Sequence, residues 1–138
     1  MHDTARAMSE ENVETLRLAH AAIERGDLET AIESYMHPEI EWETRWPGLP
    51  HAFHGRDGVR EFVERVMEPM EMKMDLLDVR AVGAQVLASY RAHGAGRSSG
   101  VPTEMPIFDL YTFRDGLIAR RQTFYTEAEA LEAAGLSE

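Results

Sequence analysis

One carboxylate in this sequence lies inside an apolar stretch, and it is the strongest candidate for chemistry. Asp109 stands in the segment 105–113, Met-Pro-Ile-Phe-Asp-Leu-Tyr-Thr-Phe. In an extended strand, its neighbours on the same face are Ile107, Tyr111 and Phe113. An ionised carboxylate is rarely fully buried without a partner. Asp109 could therefore serve as an acid, a base or a ligand anchor, with Tyr111 assisting it.

Arg121 is the predicted partner of Asp109. Residues 114–116, Arg-Asp-Gly, fit a three-residue hairpin loop. If Phe113 pairs with Leu117 across that loop, Asp109 lies opposite Arg121 on the same face. Such a pair predicts an ionised Asp109, because a nearby cation favours the charged form. Two interpretations stay open: Arg121 tunes Asp109 or holds a substrate oxyanion, or the two residues form a purely structural cross-strand ion pair.

Further side chains could line a pocket around this pair, because they lie on the same strand faces or in an adjacent loop. They are Trp42, Thr44, Trp46, Phe53, Ile107, Phe113, Thr123 and Tyr125. Aromatic residues on strand faces more often belong to a plain core. An apolar pocket with few polar groups, however, is the usual site for a small molecule.

The sequence predicts neither a metal nor a cofactor. It contains no cysteine, which excludes thiolate catalysis and cysteine-ligated zinc. His51 and His54 are close together, but they lie in a loop with proline and glycine and have no third ligand nearby. The glycine-rich segment 94–100 joins two predicted strands, whereas a phosphate-binding loop precedes a helix.

Three helices are predicted in the first half of the chain. Ser9 is the predicted N-cap of the first helix, which ends at Gly26. Asp27 is the predicted cap of a second helix, and Asp57 that of a third. Residues 1–8 carry no pattern, so we expect a flexible N-terminus followed by a single domain over residues 9–138.

Strands follow where the apolar period changes to two. Ile40, Trp42 and Thr44 alternate with three glutamates and predict a half-buried first strand at 39–44. A last short helix is predicted to open at the capping box of residues 126–129. Four further strands are predicted at residues 72–82, 85–93, 103–113 and 117–125.

Composition excludes several classes of partner. The chain has 138 residues and a formal net charge of −11, and Lys73 is its only lysine. Binding to nucleic acid or to an anionic membrane needs clustered basic residues, so neither is expected. No segment has the length and apolarity of a signal peptide or a membrane span, and cytoplasmic residence is the default expectation.

Six short segments of the chain carry a resemblance to a known family, namely residues 11–13, 25–28, 37–42, 55–59, 114–118 and 129–136. Taken in this order, they resemble the nuclear transport factor 2-like superfamily, and within it the SnoaL-like and ketosteroid-isomerase-like branch. The resemblance implies a cone-shaped α+β fold, in which a curved, mostly antiparallel sheet wraps around helices. The implied order is helix, helix, strand, helix, four strands and helix, with a pocket at the wide end and commonly a homodimer.

The catalytic positions of characterised relatives are only partly matched. In the isomerase branch, the base position falls on Thr44, the oxyanion tyrosine position on Ala19, and the oxyanion aspartate position on Asp109. In the polyketide cyclase branch, the acid–base position falls on Thr123 and its histidine partner on Asp109. A threonine hydroxyl takes up no proton unaided near neutral pH. Neither known mechanism is therefore expected.

Three functions stay open at this point. The leading hypothesis is a SnoaL-like pocket protein that binds a small, largely apolar or aromatic organic molecule. If it is an enzyme, the expected chemistry is proton transfer in an isomerisation, cyclisation or dehydration, carried by Asp109, Arg121 and Tyr111. The alternatives are a non-catalytic binding module and a dimeric interaction domain whose cavity is filled by its own side chains.

Overall fold

Four helices and six strands make up the structure, a computed structural model that describes residues 2–45, 48–95 and 102–135. The third helix continues as one π-helical stretch, Val63–Met67. No helix in the described part of the chain is long and apolar enough to cross a membrane. The elements are α1 His2–Glu24, α2 Leu28–Tyr35, β1 Met36–Glu43, β2 Ala52–His54, α3 Gly55–Phe62, β3 Lys73–Val82, β4 Gln85–Ala95, β5 Pro102–Arg114, β6 Leu117–Phe124 and α4 Glu127–Ala133.

The six strands form one curved sheet in the order β2-β1-β6-β5-β4-β3. Only β1 and β6 pair in parallel, so the sheet is mostly antiparallel, as predicted. Helices α1 to α3 pack on one face of the sheet, which we call the inner face, and α4 packs on the outer face. The predicted α+β fold is confirmed.

Most element boundaries agree with the sequence pattern. The four predicted C-terminal strands are observed as β3 to β6, each shifted by at most two residues at either end. The Asp27 carboxylate caps α2 by accepting from the backbone N–H of Thr30 at 3.2 Å. The Thr126 hydroxyl caps α4 by accepting from the backbone N–H of Glu129 at 3.2 Å. Both caps satisfy amide groups that a helix start leaves without an internal partner.

Two predicted caps are wrong, and one strand was not predicted. Helix α1 begins at His2 and runs through Ser9, because the preceding Ala5, Ala7 and Met8 favour a helix. Helix α3 begins directly after β2, so Asp57 lies in its first turn and accepts from Arg60 instead. Strand β2 has only three residues between proline and glycine, which makes it too short for a periodic signal.

The β5–β6 hairpin also differs from the prediction. Its loop has two residues, Asp115 and Gly116, both with positive φ (54° and 75°), as in the mirror-image turns that suit hairpins. Arg114 therefore pairs with Leu117, and the predicted pairing of Phe113 with Leu117 is wrong.

A register shift then follows between the Thr112–Arg120 and Phe113–Ile118 pairs, where Ala119 is the extra residue of a bulge. Together, the shorter loop and the bulge move the register by two residues from the predicted one. Asp109 lies opposite Thr123, and Tyr111 lies opposite Arg121. Because strand side chains alternate with a period of two, this shift leaves all four residues on the inner face.

Candidate functional site

Three side-chain donors hold the Asp109 carboxylate inside the protein. The Thr123 hydroxyl donates to Oδ1 at 2.7 Å, the Tyr111 hydroxyl donates to Oδ2 at 3.3 Å, and Arg121 Nη1 donates to Oδ2 at 3.4 Å. Asp109 is only 2% exposed. The predicted ion pair with Arg121 is confirmed, although it forms diagonally rather than between directly opposed residues. Both carboxylate oxygens are therefore occupied by protein donors.

Arg121 is 6% exposed and is anchored at three places. Besides Asp109, its Nη2 donates to the backbone oxygen of Glu43 at 3.0 Å. The guanidinium carbon lies 4.2 Å from the centre of the Trp42 ring and 5.1 Å from that of Phe62, which is cation–π distance. Its buried Nε has no acceptor among the described residues. A buried donor left unpaired costs about 1–3 kcal/mol, and more for a charged group.

Asp109, Arg121 and Thr123 form a polar cluster, and two buried tyrosines extend it. The hydroxyl groups of Tyr90 and Tyr111 lie 2.9 Å apart, and Tyr111 in turn reaches Asp109. Burial raises the pKa of both tyrosines above the usual value, and the nearby Asp109 carboxylate raises each pKa further. Both hydroxyl groups therefore stay protonated near neutral pH, and Tyr111 remains a hydrogen-bond donor to Asp109.

His20 on α1 continues the cluster by contact. Its ring centre lies 5.5 Å from that of Tyr90, and its Nε2 lies 3.6 Å from the Glu24 carboxylate, beyond normal hydrogen-bond length. Burial lowers the pKa of His20 below its usual value, while Glu24 and Asp75 partly oppose that shift. His20 is therefore held mainly as a neutral imidazole near neutral pH.

A cavity lies between the C-terminal part of the third helix and the inner face of the sheet. Its free volume is about 60 Å³, against about 490 Å³ when the open solvent at its mouth is included. The smaller value is well below the roughly 300–1,000 Å³ of typical ligand pockets. Apolar lining residues are Phe62, Val66, Met67, Met70, Met72, Met74, Ala92 and Ile107, and polar ones are Thr44, Arg45, Arg121, Thr123 and Tyr125.

Four of the predicted pocket residues line this cavity, namely Thr44, Ile107, Thr123 and Tyr125. The Thr44 hydroxyl is already engaged, because it donates to the backbone oxygen of Pro50 at 2.7 Å. Tyr125 is half-buried, and burial is the main cause that raises its pKa, so its hydroxyl is a neutral donor.

Most of the other predicted site residues that the structure describes lie away from the lining. Trp42 is covered by Arg121, and Phe53 packs against Phe62 with ring centres 5.7 Å apart. Phe113 packs on the inner-face core near the β5–β6 turn. Of the three predicted catalytic residues, only Arg121 lines the cavity, while Asp109 and Tyr111 lie outside its lining. Trp46 lies outside the described residues.

The sequence analysis named neither the apolar residues of the third helix nor the methionines as pocket residues, although both line the cavity. Met67, Met70, Met72 and Met74 are all half-buried and all face the same space. One signal was available, because methionine is flexible and is common at adaptable binding surfaces. The π-helical stretch Val63–Met67, which ends at the first of these methionines, could not be predicted, because a widened helical turn has no sequence signature.

No group of three or more metal-binding side chains is placed to hold an ion in the described ranges. The part of the cavity lining that contains Arg121 and Tyr125 can bind and polarise an oxygen atom of a ligand. Arg121 supplies charged N–H donors and Tyr125 supplies a neutral hydroxyl, while the Thr123 hydrogen is committed to Asp109. Donors fixed in an apolar setting stabilise negative charge on an oxygen more strongly than water does.

Comparison with known proteins gives a consistent fold. The family model of the SnoaL-like domain matches residues 16–121, and no curated protein matches the chain. Bal32a, from a soil-derived mobile gene cassette, superposes with a TM-score of 0.78 and 20% identity, covering 91% of this chain and 97% of its own.

Two further solved structures are similar. TerC, co-crystallised with polyporic acid, has a TM-score of 0.74 and 22% identity, covering 91% of this chain and 98% of its own. A protein of Mesorhizobium loti proposed to be a SnoaL-like polyketide cyclase has a TM-score of 0.69 and 20% identity, with 81% and 97% covered. At these identities the likeness shows the fold alone.

Proposed function

Because this chain belongs to the family of SnoaL-like domains, we propose that its cavity binds a small, largely apolar organic molecule through at least one oxygen atom. The observation that carries the proposal is Arg121, a buried guanidinium in an otherwise mostly apolar lining. A buried cation needs several partners, and Asp109 and the backbone oxygen of Glu43 take only two of the five N–H groups of Arg121. An oxygen of a ligand is the natural acceptor for such a donor.

The methionines explain how a free volume of about 60 Å³ could admit a ligand. A cavity of about 150 Å³ is known to hold benzene, so side chains must move before a ring can enter. Met67, Met70, Met72 and Met74 are half-buried, and methionine has three rotatable side-chain bonds. We infer that these four side chains, here called the methionine wall, swing aside when a ligand binds.

Methyl NMR of the methionines tests binding directly. The chain has eight methionines, and a ligand in the cavity should shift the ε-methyl signals of the methionine wall. Met36, which is 1% exposed in the core, serves as an internal control. A set of small aryl ketones, carboxylates and amides would be titrated. If no compound moves the methionine wall, the alternative of a cavity filled by its own side chains is correct.

A matched pair of variants locates the ligand oxygen. Tyr125→Phe removes a hydroxyl from the cavity wall, so ligand affinity should fall by about twofold to tenfold, as for one hydrogen bond. Tyr35→Phe removes a hydroxyl from a half-buried tyrosine of α2, which does not line the cavity, and should leave affinity unchanged. Equal effects of both variants would argue against binding of the ligand next to Tyr125.

Proton-transfer catalysis is the second candidate function. Arg121 would stabilise an enolate-like oxygen, and Asp109, which lies outside the cavity lining, holds Arg121 in position. No described lining residue is a carboxylate or a histidine, so a solvent water or hydroxide would take up the proton while Arg121 stabilises the negative charge on the oxygen. Deuterium uptake by an enolisable ketone, such as 1-indanone in D₂O, would be followed by NMR. Binding without faster exchange would identify a binding module.

A further inference from the structure

The charges around the cavity are unbalanced in a way that the proposed function leaves unused. Two arginines, Arg45 and Arg121, line the cavity, and no Asp or Glu does so among the described residues. Asp109, which lies outside the cavity lining, offsets the charge of Arg121. Arg45 has no ion pair with a described carboxylate; its guanidinium carbon lies 4.5 Å from the centre of the Phe124 ring. Because Phe124 belongs to the outer-face apolar cluster, Arg45 places its positive charge beside the cavity rather than inside it, in a protein of net charge −11.

The available donors are suited to an anionic oxygen. Asp109 and the backbone oxygen of Glu43 each accept from one nitrogen of Arg121, at 3.4 and 3.0 Å, which leaves part of the guanidinium to other acceptors. The planar guanidinium matches a carboxylate in shape. Burial has the largest effect on the pKa of Tyr125 and raises it, as does the Asp109 carboxylate, while the fields of Arg121 and Arg45 both lower it. An oxygen near the Tyr125 hydroxyl would thus feel both cations.

The opposite side of the cavity is suited to a ring. The methionine wall brings four thioether groups to one space, and Phe62 adds an aromatic ring on the helix side. Thioether sulfur makes favourable contacts with aromatic rings at about 5 Å, usually near the ring edge. Aliphatic side chains such as leucine would fill the same space without this preference.

We propose that the cavity takes a small aromatic ring bearing an anionic oxygen group, such as an aryl carboxylate, with the ring against the methionine wall and the anion at Arg121 and Tyr125, where the field of Arg45 adds to the attraction. The inference rests on the proposed function and specifies its ligand class. It predicts that charge and aromaticity each contribute separately to affinity.

Three probes of similar size separate these contributions: benzoate, benzamide and cyclohexanecarboxylate. Their binding would be followed by the ε-methyl signals of the methionine wall in the intact protein. Benzoate should bind more tightly than neutral benzamide by a factor of about ten or more, as a hydrogen bond to a charged group implies. It should also bind more tightly than cyclohexanecarboxylate and produce ring-current shifts of the methionine methyl signals.

Variants of exposed arginines test the charge without threatening the fold. Arg45→Gln should weaken benzoate binding by about twofold to fivefold, the range of one exposed charge pair, and should leave benzamide binding unchanged. Arg80→Gln is the matched control, because Arg80 is exposed and pairs with Glu127 at the outer-face helix. It removes the same charge far from the cavity and should change neither affinity.

The outcomes distinguish the failure of this inference from the failure of the proposed function on which it rests. If benzamide moves the methionine wall as strongly as benzoate, the proposed binding function stands and the anionic class is refuted. If cyclohexanecarboxylate equals benzoate, the aromatic part is refuted. If none of the probes moves the methionine wall while Met36 also stays unchanged, both the inference and the proposed function fail.

Discussion

Strands β5 and β6 carry two very different regions on their two faces. On the outer face, Leu110 and Phe124 pack with Val82, Leu87 and Ala130 under α4, and every member is an apolar side chain at most 5% exposed. On the inner face, the same two strands carry the polar cluster of Asp109, Tyr111, Arg121 and Thr123. Residues one position apart in the chain thus enter an apolar core and a hydrogen-bonded network.

The difference shows where the molecule gives up stability. The outer region needs only burial, which contributes roughly 25 cal/mol for each Å² of apolar surface removed from water. The inner region holds a charge pair whose desolvation offsets much of its attraction, an unpaired Arg121 Nε and a void beside it. Departures from a well-satisfied core are expected at functional sites, which is why the inner region is the candidate site.

The largest expected effect comes from breaking the charge pair on one side only. Arg121→Met leaves the Asp109 carboxylate buried without its cation, and this should lower the free energy of unfolding by about 3–5 kcal/mol. Adding Asp109→Asn removes the orphaned charge while keeping an acceptor for Thr123, so the double variant should recover most of that loss. Urea unfolding of the wild type, both single variants and the double variant gives the coupling.

The contrary result for this cycle is equally clear. If the double variant is as unstable as the sum of the two single variants, Asp109 and Arg121 do not act as a pair. The inner region would then be an ordinary core, and the comparison with the outer region would lose its basis.

The outer region should respond to substitution by loss of packing alone. Leu110 is 0% exposed, and Leu110→Ala should lower the free energy of unfolding by about 2–5 kcal/mol because of lost burial and the resulting cavity. At temperatures where the variant is folded, ligand titration of the methionine wall should match the wild type. A changed affinity would show that the two faces are coupled through the sheet.

The sequence predicted which side chains of β5 and β6 share the inner face. Alternation of apolar and polar residues fixes which face each strand residue takes, and this survived a hairpin error of two residues in register. Asp109 and Arg121 therefore came together although Thr123, not Arg121, lies opposite Asp109. Periodicity is robust to such errors because only shifts by an odd number of residues exchange the faces.

The cavity itself could not be predicted, because no local pattern encodes where a curved sheet and a helix diverge. Phe62 and Val66 have the same helical spacing as fully packed residues, yet they border a void. Tyr90 was also missed as a polar partner, since its hydroxyl meets Tyr111 only through the pairing of β4 with β5. Long-range register, rather than residue type, decides these contacts.

The two buried tyrosines should differ in their contribution to the polar cluster. Tyr111→Phe removes a donor from Asp109 and also leaves the Tyr90 hydroxyl without its partner, so we expect a loss of about 1–3 kcal/mol in the free energy of unfolding. Tyr90→Phe leaves the Tyr111 bond to Asp109 intact and should lose about 0.5–1.5 kcal/mol. Urea unfolding at one pH measures the free energy of unfolding of both variants. A larger effect of Tyr90→Phe would contradict the hydrogen-bond order in which Tyr111 links Tyr90 to Asp109.

The smallest predicted effect is a pH dependence from His20. Burial lowers its pKa in the folded protein, against the opposing fields of Glu24 and Asp75, whereas the unfolded chain has the ordinary value near 6.5. The unfolded state therefore binds the proton more readily. The resulting stabilisation is fully present above pH 6.5 and is lost as the pH falls through 6.5 towards the lower folded pKa. Urea unfolding at several pH values around and below 6.5 measures that slope.

His20→Gln should flatten this slope, whatever its effect on absolute stability, because glutamine does not titrate. His51→Gln is the matched control, since His51 is exposed in the loop before β2, and it should leave the slope unchanged. If both variants keep the wild-type slope, proton uptake by His20 does not contribute to acid unfolding. The polar cluster would then end at Tyr90, and only the part next to the cavity would distinguish the inner face from the outer one.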